Sequence, residues 1–463
     1  MEKVIHRTCI AGWMLSKQYQ QTIGIVITAS HNPESYNGVK IISPNGEGLS
    51  KIDERFVEEI VNLTNKDFKQ KVKDYMAINN NFKGMILLGR DTRSSGKKIV
   101  EKFLNYNYSF LKANVIDLGI TTTPQIHFEV KNNNENNYKC FYMKWFTHYP
   151  NTTMYIDTAN GAASMFFDSD ICKKYNFIVL NNHYGKINDN CGTEHFLKTG
   201  QLPNNKSTSI YRPCAIFDGD ADRLALLSKD GYILDGTDLA LIIYEILYTK
   251  LVEANIHNKL NVGIIVSHYS NGSVYNYLKE KQIPFSIVGA GVKHFLNKSK
   301  SYDISVWFEP NGHGGITFSK KATDLILNSG NKNLIKIYTI YNKTIGDALA
   351  NLFLIREFNF NCVKQYVQMP SKLGSVIIKD KTMIKIDEDT YTVISPVALS
   401  NLLKKINTTN NKDNTRAFVR PSGTENIIRI YVESNNQAIV DKIYDELKNH
   451  ITYYNNLYIN KIY

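Results

Sequence analysis

The chain contains the stretch IGIVITASHNP, at residues 23–33, where a run of Ile and Val stops abruptly at His-Asn-Pro. The β-branched residues of 23–27 predict a buried strand. Pro33 ends that strand, because proline cannot donate to a strand ladder and biases the preceding residue away from a helix. Ser30 is therefore predicted to follow the carboxyl end of a strand, where open α/β sheets place their ligands. Taken alone, Ser30 is better explained as an ordinary turn serine.

The same order of strand, small-residue turn and amphipathic helix recurs along the chain. It is found in MILLGRDTRSSGKKIVEKFL at 85–104, TMYIDTANGAASMFF at 153–167 and NVGIIVSHYSNGSVYNYLKE at 261–280. Alternating units of this kind predict α/β layers. The C-terminal part differs, because RAFVRP (416–421) and NIIRIYVES (426–434) are typical of two strands and 435–450 is typical of a helix. That pattern predicts a small α+β module.

Composition restricts the class of protein. The chain has 463 residues, 43% of them hydrophobic, and a formal net charge of +12. This length predicts roughly three or four domains. Because Lys and Arg are dispersed among Asp and Glu, the charge suits a small anion better than a nucleic acid. The six cysteines form no CxxC pair, so we expect no zinc site. No signal peptide is predicted and no apolar run is long enough to span a bilayer, so we expect a cytoplasmic protein.

Three aspartates alternate in CAIFDGDADRLALL, residues 214–227. Asp218, Asp220 and Asp222 lie between two apolar runs and would repel one another unless a cation shares them. Mg²⁺ prefers oxygen ligands and leaves its remaining positions to water or phosphate. An EF-hand is excluded, because its loop needs Gly at the sixth position, where this chain has Arg223. The pattern favours a magnesium site over a solvated acidic turn.

A second polar loop, RPSGTENIIR, occupies residues 420–429. Its backbone N–H groups and two hydroxyls can converge on an anion. Arg420 and Arg429 flank the loop, and a guanidinium group can bind phosphate through two parallel hydrogen bonds. A hairpin turn with surface arginines is the alternative. A P-loop is excluded, because GxxxxGK[ST] occurs nowhere in the chain.

Polar residues also follow an apolar run in WFEPNGHGGITFS, residues 307–319. The carboxylate of Glu309 can accept hydrogen bonds from two sugar hydroxyls, and the amide of Asn311 can donate and accept at once. The pair indicates sugar binding, with an ordinary capping loop as the alternative. Lys293 and His294, in AGVKHFL, are a weaker candidate for the same purpose.

Phosphoryl transfer through a phosphoserine accounts for the serine, the acidic triad and the phosphate loop together. Such transfer depends mainly on positioning and charge neutralisation. In this hypothesis Mg²⁺ bridges the aspartates and a phosphate on Ser30, and Arg223 stabilises the phosphoryl oxygens. Either His31 or Lys40 moves the proton of the sugar hydroxyl. Arg93, in GRDTR, either braces its loop or adds positive charge near Ser30. A serine hydrolase is disfavoured, because the GxSxG elbow is missing.

The order of these motifs resembles that of the α-D-phosphohexomutases. The shared motifs are TASHNP with NGVK, GRDTR, DGDADR, a strand-end Glu-x-Asn-Gly-His and RPSGTE. In finer detail the chain is similar to the phosphoacetylglucosamine mutases, over TASHNPESYNGVKIISPNGE, DLGITTTPQIHF, VSHYSNGSVYNYL, GAGVKHFL, FEPNGHGGITFS and RAFVRPSGTENIIRIYVES. The resemblance covers nearly the whole chain.

This resemblance implies an α/β fold of three similar mixed-sheet α/β domains plus a C-terminal α+β phosphate-binding domain, around a central cleft. The expected domains are 1–148 with the phosphoserine loop, 149–257 with the metal-binding loop, 258–350 with the sugar-binding loop and 351–463 with the phosphate-binding loop. The implied metal ligands are Ser30, Asp218, Asp220 and Asp222. The implied substrate contacts are Glu309, Pro310, Asn311, Lys293, His294, Arg420, Pro421, Ser422, Gly423, Thr424 and Arg429.

The implied reaction interconverts N-acetylglucosamine 6-phosphate (GlcNAc-6-phosphate) and GlcNAc-1-phosphate through a bisphosphorylated intermediate, for UDP-GlcNAc biosynthesis. Hexose-specific relatives tend to carry Ser in place of Asn311, and Asn suits an N-acetylhexosamine. The resemblance also implies one Mg²⁺ per chain, a hexose bisphosphate activator and a monomer that binds sugar phosphates, with no nucleic-acid or membrane partner.

The chain departs from the family pattern at two places. The family's Gly-Thr-Ala-Gly-Phe-Arg segment has no counterpart before Ser30, and Glu-Pro-Asn replaces the more usual Glu-Ala-Asn. Two alternatives therefore stay open: a phosphoglucomutase or phosphomannomutase, and a non-catalytic sugar-phosphate-binding pseudoenzyme. The serine and the acidic triad argue against the pseudoenzyme, because a binding protein needs no phosphorylatable serine.

Overall fold

The structure is a computed structural model, and it describes residues 2–78, 82–132, 138–147, 150–358, 361–387, 390–409, 413–422 and 426–460. The chain divides into two compact units. Unit 1 consists of Met1–Lys259 and Asn311–Val363, and unit 2 consists of Leu260–Pro310 and Lys364–Tyr463. The four predicted domain ranges stay a prediction.

The first part of unit 1 is a four-stranded sheet with helices beside it. Its elements are α1 (Glu2–Tyr19), β1 (Thr22–Ile27), β2 (Val39–Ile42), α2 (Lys51–Asn62), α3 (Asn65–Ala77), β3 (Met85–Arg90), α4 (Ser94–Tyr106), β4 (Asn114–Ile120), α5 (Thr123–Lys131) and α6 (Tyr138–Trp145). The strand order is β2-β1-β3-β4, with β2 antiparallel to β1 and the others parallel. Because Ile27 pairs with Arg90, the loops after β1 and β3 leave the same edge of the sheet. The predicted strand at 23–27 is confirmed.

The second sheet of unit 1 carries the acidic motif. Its elements are β5 (Met154–Asp157), α7 (Ser169–Tyr175), β6 (Phe177–Val179), α8 (Gly192–Thr199), β7 (Cys214–Phe217), β8 (Leu224–Leu227), β9 (Ile233–Leu234) and α9 (Gly236–Glu253). The strand order is β6-β5-β7-β8-β9. Strands β7 and β8 form an antiparallel hairpin in which Phe217 pairs with Leu224. The residues between them form the hairpin loop, because both flanking runs are apolar and buried.

The first part of unit 2 contains β10 (Val262–Ser267), α10 (Gly272–Glu280), β11 (Phe285–Val288), α11 (Val292–Ser299) and β12 (Ile304–Phe308). Both β11 and β12 pair with β10 in parallel. Asn271 caps α10 by accepting from the Ser273 N–H, as its position before an apolar helix face predicts. The predicted strand and helix at 261–280 are confirmed.

Residues 311–363 return to unit 1 and form β13 (Gly314–Phe318), α12 (Lys320–Asn328), α13 (Lys332–Lys343) and α14 (Ala348–Glu357). Helix α14 is buried from Ala348 to Arg356, which explains its continuous apolar sequence. Helix α9 is similarly buried over most of its length. In the part of the chain that the structure describes, no helix combines the length and apolar character needed to cross a membrane.

The C-terminal part of unit 2 contains β14 (Ser371–Ile377), β15 (Lys385–Ile386), β16 (Val393–Ser395), α15 (Val397–Thr409), β17 (Arg416–Pro421), β18 (Ile427–Glu433) and α16 (Gln437–Asn460). Strand β18 lies between β14 and β17, antiparallel to both. One face of α16 packs into the core through Val440, Ile443 and Leu447, as their helical spacing predicts. The α/β fold class with a C-terminal α+β part is confirmed.

Candidate active site

Ser30 lies in the loop after β1, next to the acidic motif. Its hydroxyl donates to Asp218 Oδ2 at 2.7 Å, and its backbone N–H donates to Thr28 Oγ1 at 2.9 Å. The residue is 7% exposed. The structure therefore brings a buried serine oxygen to a carboxylate that is 188 residues away in sequence.

The three aspartates of the β7–β8 loop form one cluster. One carboxylate oxygen from each of Asp218, Asp220 and Asp222 lies within 4.8 Å of the others, and all three residues are buried. Burial, followed by the charges of Asp222 and Asp220, raises the pKa of Asp218 well above its ordinary value. Burial is the largest influence on Asp222 and acts in the same direction, but the charges of Lys40, His313 and Arg223 together outweigh it, and the pKa of Asp222 is lowered.

The oxygens of this cluster fit a hard divalent cation. Asp220 Oδ1 and Asp222 Oδ1 are buried and have no hydrogen-bond partner among the described residues. Buried carboxylate oxygens without a partner are costly, and a cation shared by the three side chains satisfies them. The residues that could hold Mg²⁺ are therefore Asp218, Asp220 and Asp222. A phosphate on Ser30 could supply a further oxygen ligand.

Positive charge is already built into the cluster. Lys40, on β2, places its Nζ 2.7 Å from Asp220 Oδ2 and 2.7 Å from Asp222 Oδ2. Arg223 Nε lies 3.8 Å from Asp218 Oδ2 and 3.8 Å from Asp222 Oδ1. These two cations offset part of the repulsion among the aspartates.

His31 follows Ser30 and is a neutral base at this position. Burial, followed by the charge of Arg223, lowers the pKa of His31 to about 4. Its Nδ1 is buried without a hydrogen-bond partner among the described residues. A neutral imidazole can accept a proton from a hydroxyl, so His31 is the candidate for proton acceptance. Burial alone would lower the pKa of Lys40, but the charges of Asp220 and Asp222 raise it, so Lys40 is held as an ammonium.

Two further residues that the sequence reasoning missed contact the aspartates. Thr123, at the start of α5, donates from Oγ1 to Asp220 Oδ2 at 2.6 Å. The His313 imidazole Nδ1 is 2.8 Å from the carbonyl oxygen of Asp222. The His313 backbone N–H donates to Asn311 Oδ1 at 3.0 Å, so the predicted sugar-binding residue Asn311 lies beside the metal loop. The Glu-x-Asn-Gly-His spacing was the available signal for His313.

The bracing interpretation of Arg93 agrees with its contacts. Arg93 is 1% exposed, pairs with Asp91 and donates to the backbone carbonyls of Ser30 and Asn32. The guanidinium group therefore holds the loop that carries the serine.

Unit 2 contains a second group of predicted residues. Glu309 Oε1 accepts from the Gly291 N–H at 2.9 Å, so this carboxylate holds the turn that precedes α11. Lys293 and His294 lie in the first turn of that helix. Pro310 is the last residue of this segment of unit 2.

The predicted phosphate loop joins β17 to β18 in unit 2. Arg420 and Arg429 are directly opposite each other across these strands, so their side chains leave the same face of the sheet. Pro421 ends β17, and the Ser422 N–H donates to the Ile427 carbonyl at 2.9 Å. Gly423 and Thr424 lie outside the described residues. Two like charges placed side by side favour an anion between them.

Comparisons with known proteins identify the family of this chain. The family model described as "Phosphoacetylglucosamine mutase AMG1, domain III" matches residues 235–360. Two models of the phosphoglucomutase/phosphomannomutase type match as well, the alpha/beta/alpha domain I over 11–71 and the C-terminal domain over 392–450. A probable phosphoacetylglucosamine mutase of Encephalitozoon cuniculi is 32% identical, over 97% of this chain and 91% of the relative.

The chain belongs to the phosphoacetylglucosamine mutase family. The human member of the family is 29% identical, over 96% of this chain and 90% of its own. The crystal structure of Aspergillus fumigatus N-acetylphosphoglucosamine mutase in complex with GlcNAc-6P and magnesium has a TM-score of 0.86 and 25% identity, over 97% of this chain and 92% of that one. As a member of the phosphoacetylglucosamine mutase family, the chain is an enzyme of the phosphohexomutase superfamily, an isomerase.

Proposed function

We propose that this chain interconverts GlcNAc-6-phosphate and GlcNAc-1-phosphate through a phosphoserine at Ser30. The observation that carries the proposal is the 2.7 Å hydrogen bond from Ser30 Oγ to Asp218 Oδ2, inside a cluster of three carboxylates. A serine that only shaped a turn would not need this position. The A. fumigatus relative is described in complex with GlcNAc-6P and magnesium, and also with glucose 1,6-bisphosphate.

The reaction proceeds in two balanced transfers. In the first, the phosphoryl group leaves Ser30 Oγ for the free sugar hydroxyl at position 1, which loses its proton, and a 1,6-bisphosphate forms. In the second, after the intermediate has turned over, the phosphoryl group at position 6 moves to Ser30 Oγ and GlcNAc-1-phosphate remains. The first transfer leaves Ser30 as a free hydroxyl, which takes up the proton that the sugar hydroxyl lost. In the second transfer the Ser30 hydroxyl loses a proton to the sugar oxygen at position 6, so Ser30 carries one phosphoryl group before and after a full cycle.

The residues of unit 1 serve the transferring group. Asp218, Asp220 and Asp222 would hold Mg²⁺, which would neutralise negative charge on the phosphoryl oxygens. Arg223 contributes a second positive charge near the same oxygens. His31 takes the proton of the attacking hydroxyl and returns it in the reverse direction. Lys40, an ammonium paired with Asp220 and Asp222, can donate a proton but cannot accept one.

The remaining predicted residues bind the sugar and the phosphate that is not being transferred. Glu309 and Asn311 bind the sugar, with Asn311 directed at the N-acetyl group, because an amide pairs well with an amide. Arg420 and Arg429 bind the distal phosphate with backbone N–H groups of their loop. The other members of this proposed set are Pro310, Lys293, His294, Pro421, Ser422, Gly423 and Thr424.

The test is ³¹P NMR of the purified protein with Mg²⁺, a trace of glucose 1,6-bisphosphate and GlcNAc-6-phosphate, beside Ser30→Ala. Conversion to the 1-phosphate by the wild type alone is the expected result. Intact-mass spectrometry should show about 80 Da on the wild type and none on Ser30→Ala. Turnover of glucose-6-phosphate with a higher kcat/KM would assign a phosphoglucomutase instead. Inertness toward both sugars would contradict a mutase.

The finer biological setting is also part of this proposal. GlcNAc-1-phosphate is the substrate for forming UDP-GlcNAc, so a nucleotidyl transfer is the reaction that consumes the product. The dispersed cysteines, all free thiols among the described residues, favour a reducing, cytoplasmic environment. We expect a monomer, which size-exclusion chromatography with light scattering would check.

A further inference from the structure

Two backbone carbonyls of the Ser30 loop are held by a side chain from another loop. Asn188, between β6 and α8, donates from Nδ2 to the Ser30 carbonyl at 2.7 Å and to the Asn32 carbonyl at 2.9 Å. Arg93 donates to the same two oxygens from the other loop at the sheet edge. Two side chains thus converge on one short segment of backbone.

The Ser30 backbone needs such support. Its φ is +50°, in the left-handed region that costs a non-glycine residue about 1 kcal/mol or more. Within the loop, the Ser30 N–H donates to Thr28 Oγ1 and the Asn32 N–H donates to the Ala29 carbonyl. A strained residue keeps its conformation only where the surroundings fix it on several sides, and Asn188 fixes the carbonyl side.

Asn188 is itself fixed and meets the metal loop at the same point. Its backbone N–H donates to the Ala159 carbonyl at 3.0 Å. Its φ of +56° is a conformation that asparagine tolerates. A Cβ on Gly219 would lie 2.8 Å from the Ser30 carbonyl oxygen and 2.8 Å from Asn188 Nδ2. The amide of Asn188 therefore lies where the serine loop and the metal loop touch.

We propose that Asn188 is a positioning residue for phosphoryl transfer, which fixes the Ser30 backbone and thereby the position of Ser30 Oγ beside Asp218. The inference rests on the proposed role of Ser30. Ser30 Oγ must return to the same position in both transfers, once as the leaving oxygen and once as the attacking oxygen. A misplacement of about 1 Å at a reacting atom can cost about 100-fold in rate.

The test compares Asn188→Asp and Asn188→Ala with the control Asn190→Ala. Aspartate keeps the shape of the side chain but replaces the donor by an oxygen that repels the two carbonyls. Asn190 lies in the same loop and also has a left-handed φ, +50°, but it is exposed and its Nδ2 donates to Asp189. Alanine at position 190 therefore has the same conformational cost of a left-handed backbone as alanine at position 188, but no contact to Ser30 is lost.

Two readouts are measured on the full-length protein with Mg²⁺. The first is kcat and KM for GlcNAc-6-phosphate, and the second is the rate at which glucose 1,6-bisphosphate phosphorylates Ser30, followed by the mass gain of about 80 Da. We expect both Asn188 variants to lower kcat and the phosphorylation rate about 10- to 100-fold, with KM within about 2-fold. Asn190→Ala should match the wild type.

Several results would overturn the inference. Equal kcat in Asn188→Asp and Asn190→Ala would show that the amide does not position Ser30, while wild-type turnover would leave the proposed function intact. A rise in KM at unchanged kcat would assign Asn188 to substrate binding. Early melting of both Asn188 variants, with normal kcat for the folded fraction, would make the residue structural only. An inactive wild type would instead contradict the proposed function.

Discussion

The two regions proposed to handle phosphate differ in how their charges are balanced. In unit 1, Lys40 pairs with Asp220 and Asp222 at 2.7 Å, so opposite charges are already in contact. In unit 2, Arg420 and Arg429 stand opposite each other on neighbouring strands. Arg429 Nε is buried and has no hydrogen-bond partner among the described residues. The first region is thus assembled around its own ion pairs, whereas the second gains most from a bound anion.

This difference in charge balance agrees with the proposed roles of the two regions, phosphoryl transfer in unit 1 and phosphate binding in unit 2. Transfer of a phosphoryl group requires reacting atoms that are held in place before the substrate arrives. The proposed binding of the distal phosphate by Arg420 and Arg429 requires a site that also releases its ligand. A site in which a bound anion reduces the repulsion between two arginines can both bind and release a phosphate.

The largest effect is expected from Asp218→Asn in unit 1. The change removes a proposed metal ligand and the charged partner of Ser30, so kcat should fall about 10³-fold or more. Isothermal titration with Mn²⁺ should show weaker binding than in the wild type. Asp230→Asn, an exposed aspartate after β8, is the matched control and should leave both quantities unchanged. Wild-type metal affinity in Asp218→Asn would refute the assignment of the triad.

Substitution of Gly312, which lies next to the metal loop of unit 1, should have the second-largest effect. Gly312 has a φ of +95°, and a Cβ there would lie 2.1 Å from the Leu224 carbonyl oxygen. We expect Gly312→Ala to displace His313 from the metal loop, lower the melting temperature of the protein and cost about 2–4 kcal/mol of stability.

The control for that variant is Gly315→Ala. Gly315 is close to Gly312 in sequence, but a Cβ there would meet its nearest neighbour, Tyr341, at an ordinary 3.6 Å. Differential scanning calorimetry should therefore separate the two variants. Equal melting temperatures would mean that the approach of Gly312 to Leu224 does not constrain the loop.

In unit 2, Arg429→Gln should weaken binding without destabilising the fold. Loss of one charged phosphate contact should raise KM for GlcNAc-6-phosphate about 10- to 100-fold. Because the change also removes a like charge beside Arg420, the melting temperature without ligand should stay equal or rise. Lys385→Gln, an exposed change in the same unit, controls for net charge. A lower melting temperature in Arg429→Gln would contradict the contrast between the two regions.

Much of the fold was predictable, because its strands are short apolar runs ended by turn residues. Ile23 to Ile27 and Gly263 to Ser267 were predicted as strands from their apolar sequence, and they lie within β1 and β10. The DGDAD motif was recognisable because closely spaced buried acids are rare without a cation. Helices α9 and α14 are apolar on all sides, so periodicity could not assign a buried face to either.

The contacts of the candidate site were only partly predictable. Asn188 is 158 residues from Ser30, and His313 is 91 residues from Asp222. Asparagine is common throughout this chain and common in turns generally, so nothing local distinguishes Asn188 from Asn190. Which of the two reaches Ser30 is decided by the turn geometry of the folded loop, and that geometry depends on residues far away in sequence.

The smallest effect is expected from Asp347, a buried carboxyl group in unit 1. Its described hydrogen-bond partners include no cation. It accepts from the hydroxyls of Tyr138 and Tyr142 and from two backbone N–H groups at the start of α14. Burial raises the pKa of Asp347 to about 6, and these hydrogen bonds only partly oppose that rise.

The folded state therefore binds this proton more tightly than the unfolded state, in which the carboxyl has an ordinary pKa near 4. The stabilising contribution of Asp347 is complete below about pH 4 and is lost as the pH rises through about 6. Asp347→Asn carries no charge at either pH, so its stability relative to the wild type should improve by about 1–3 kcal/mol between pH 4 and pH 7.5. Urea unfolding at both pH values, with the exposed Asp170→Asn as control, measures that difference. A stability difference that stays constant across this range would mean that Asp347 is charged in the folded protein at both pH values.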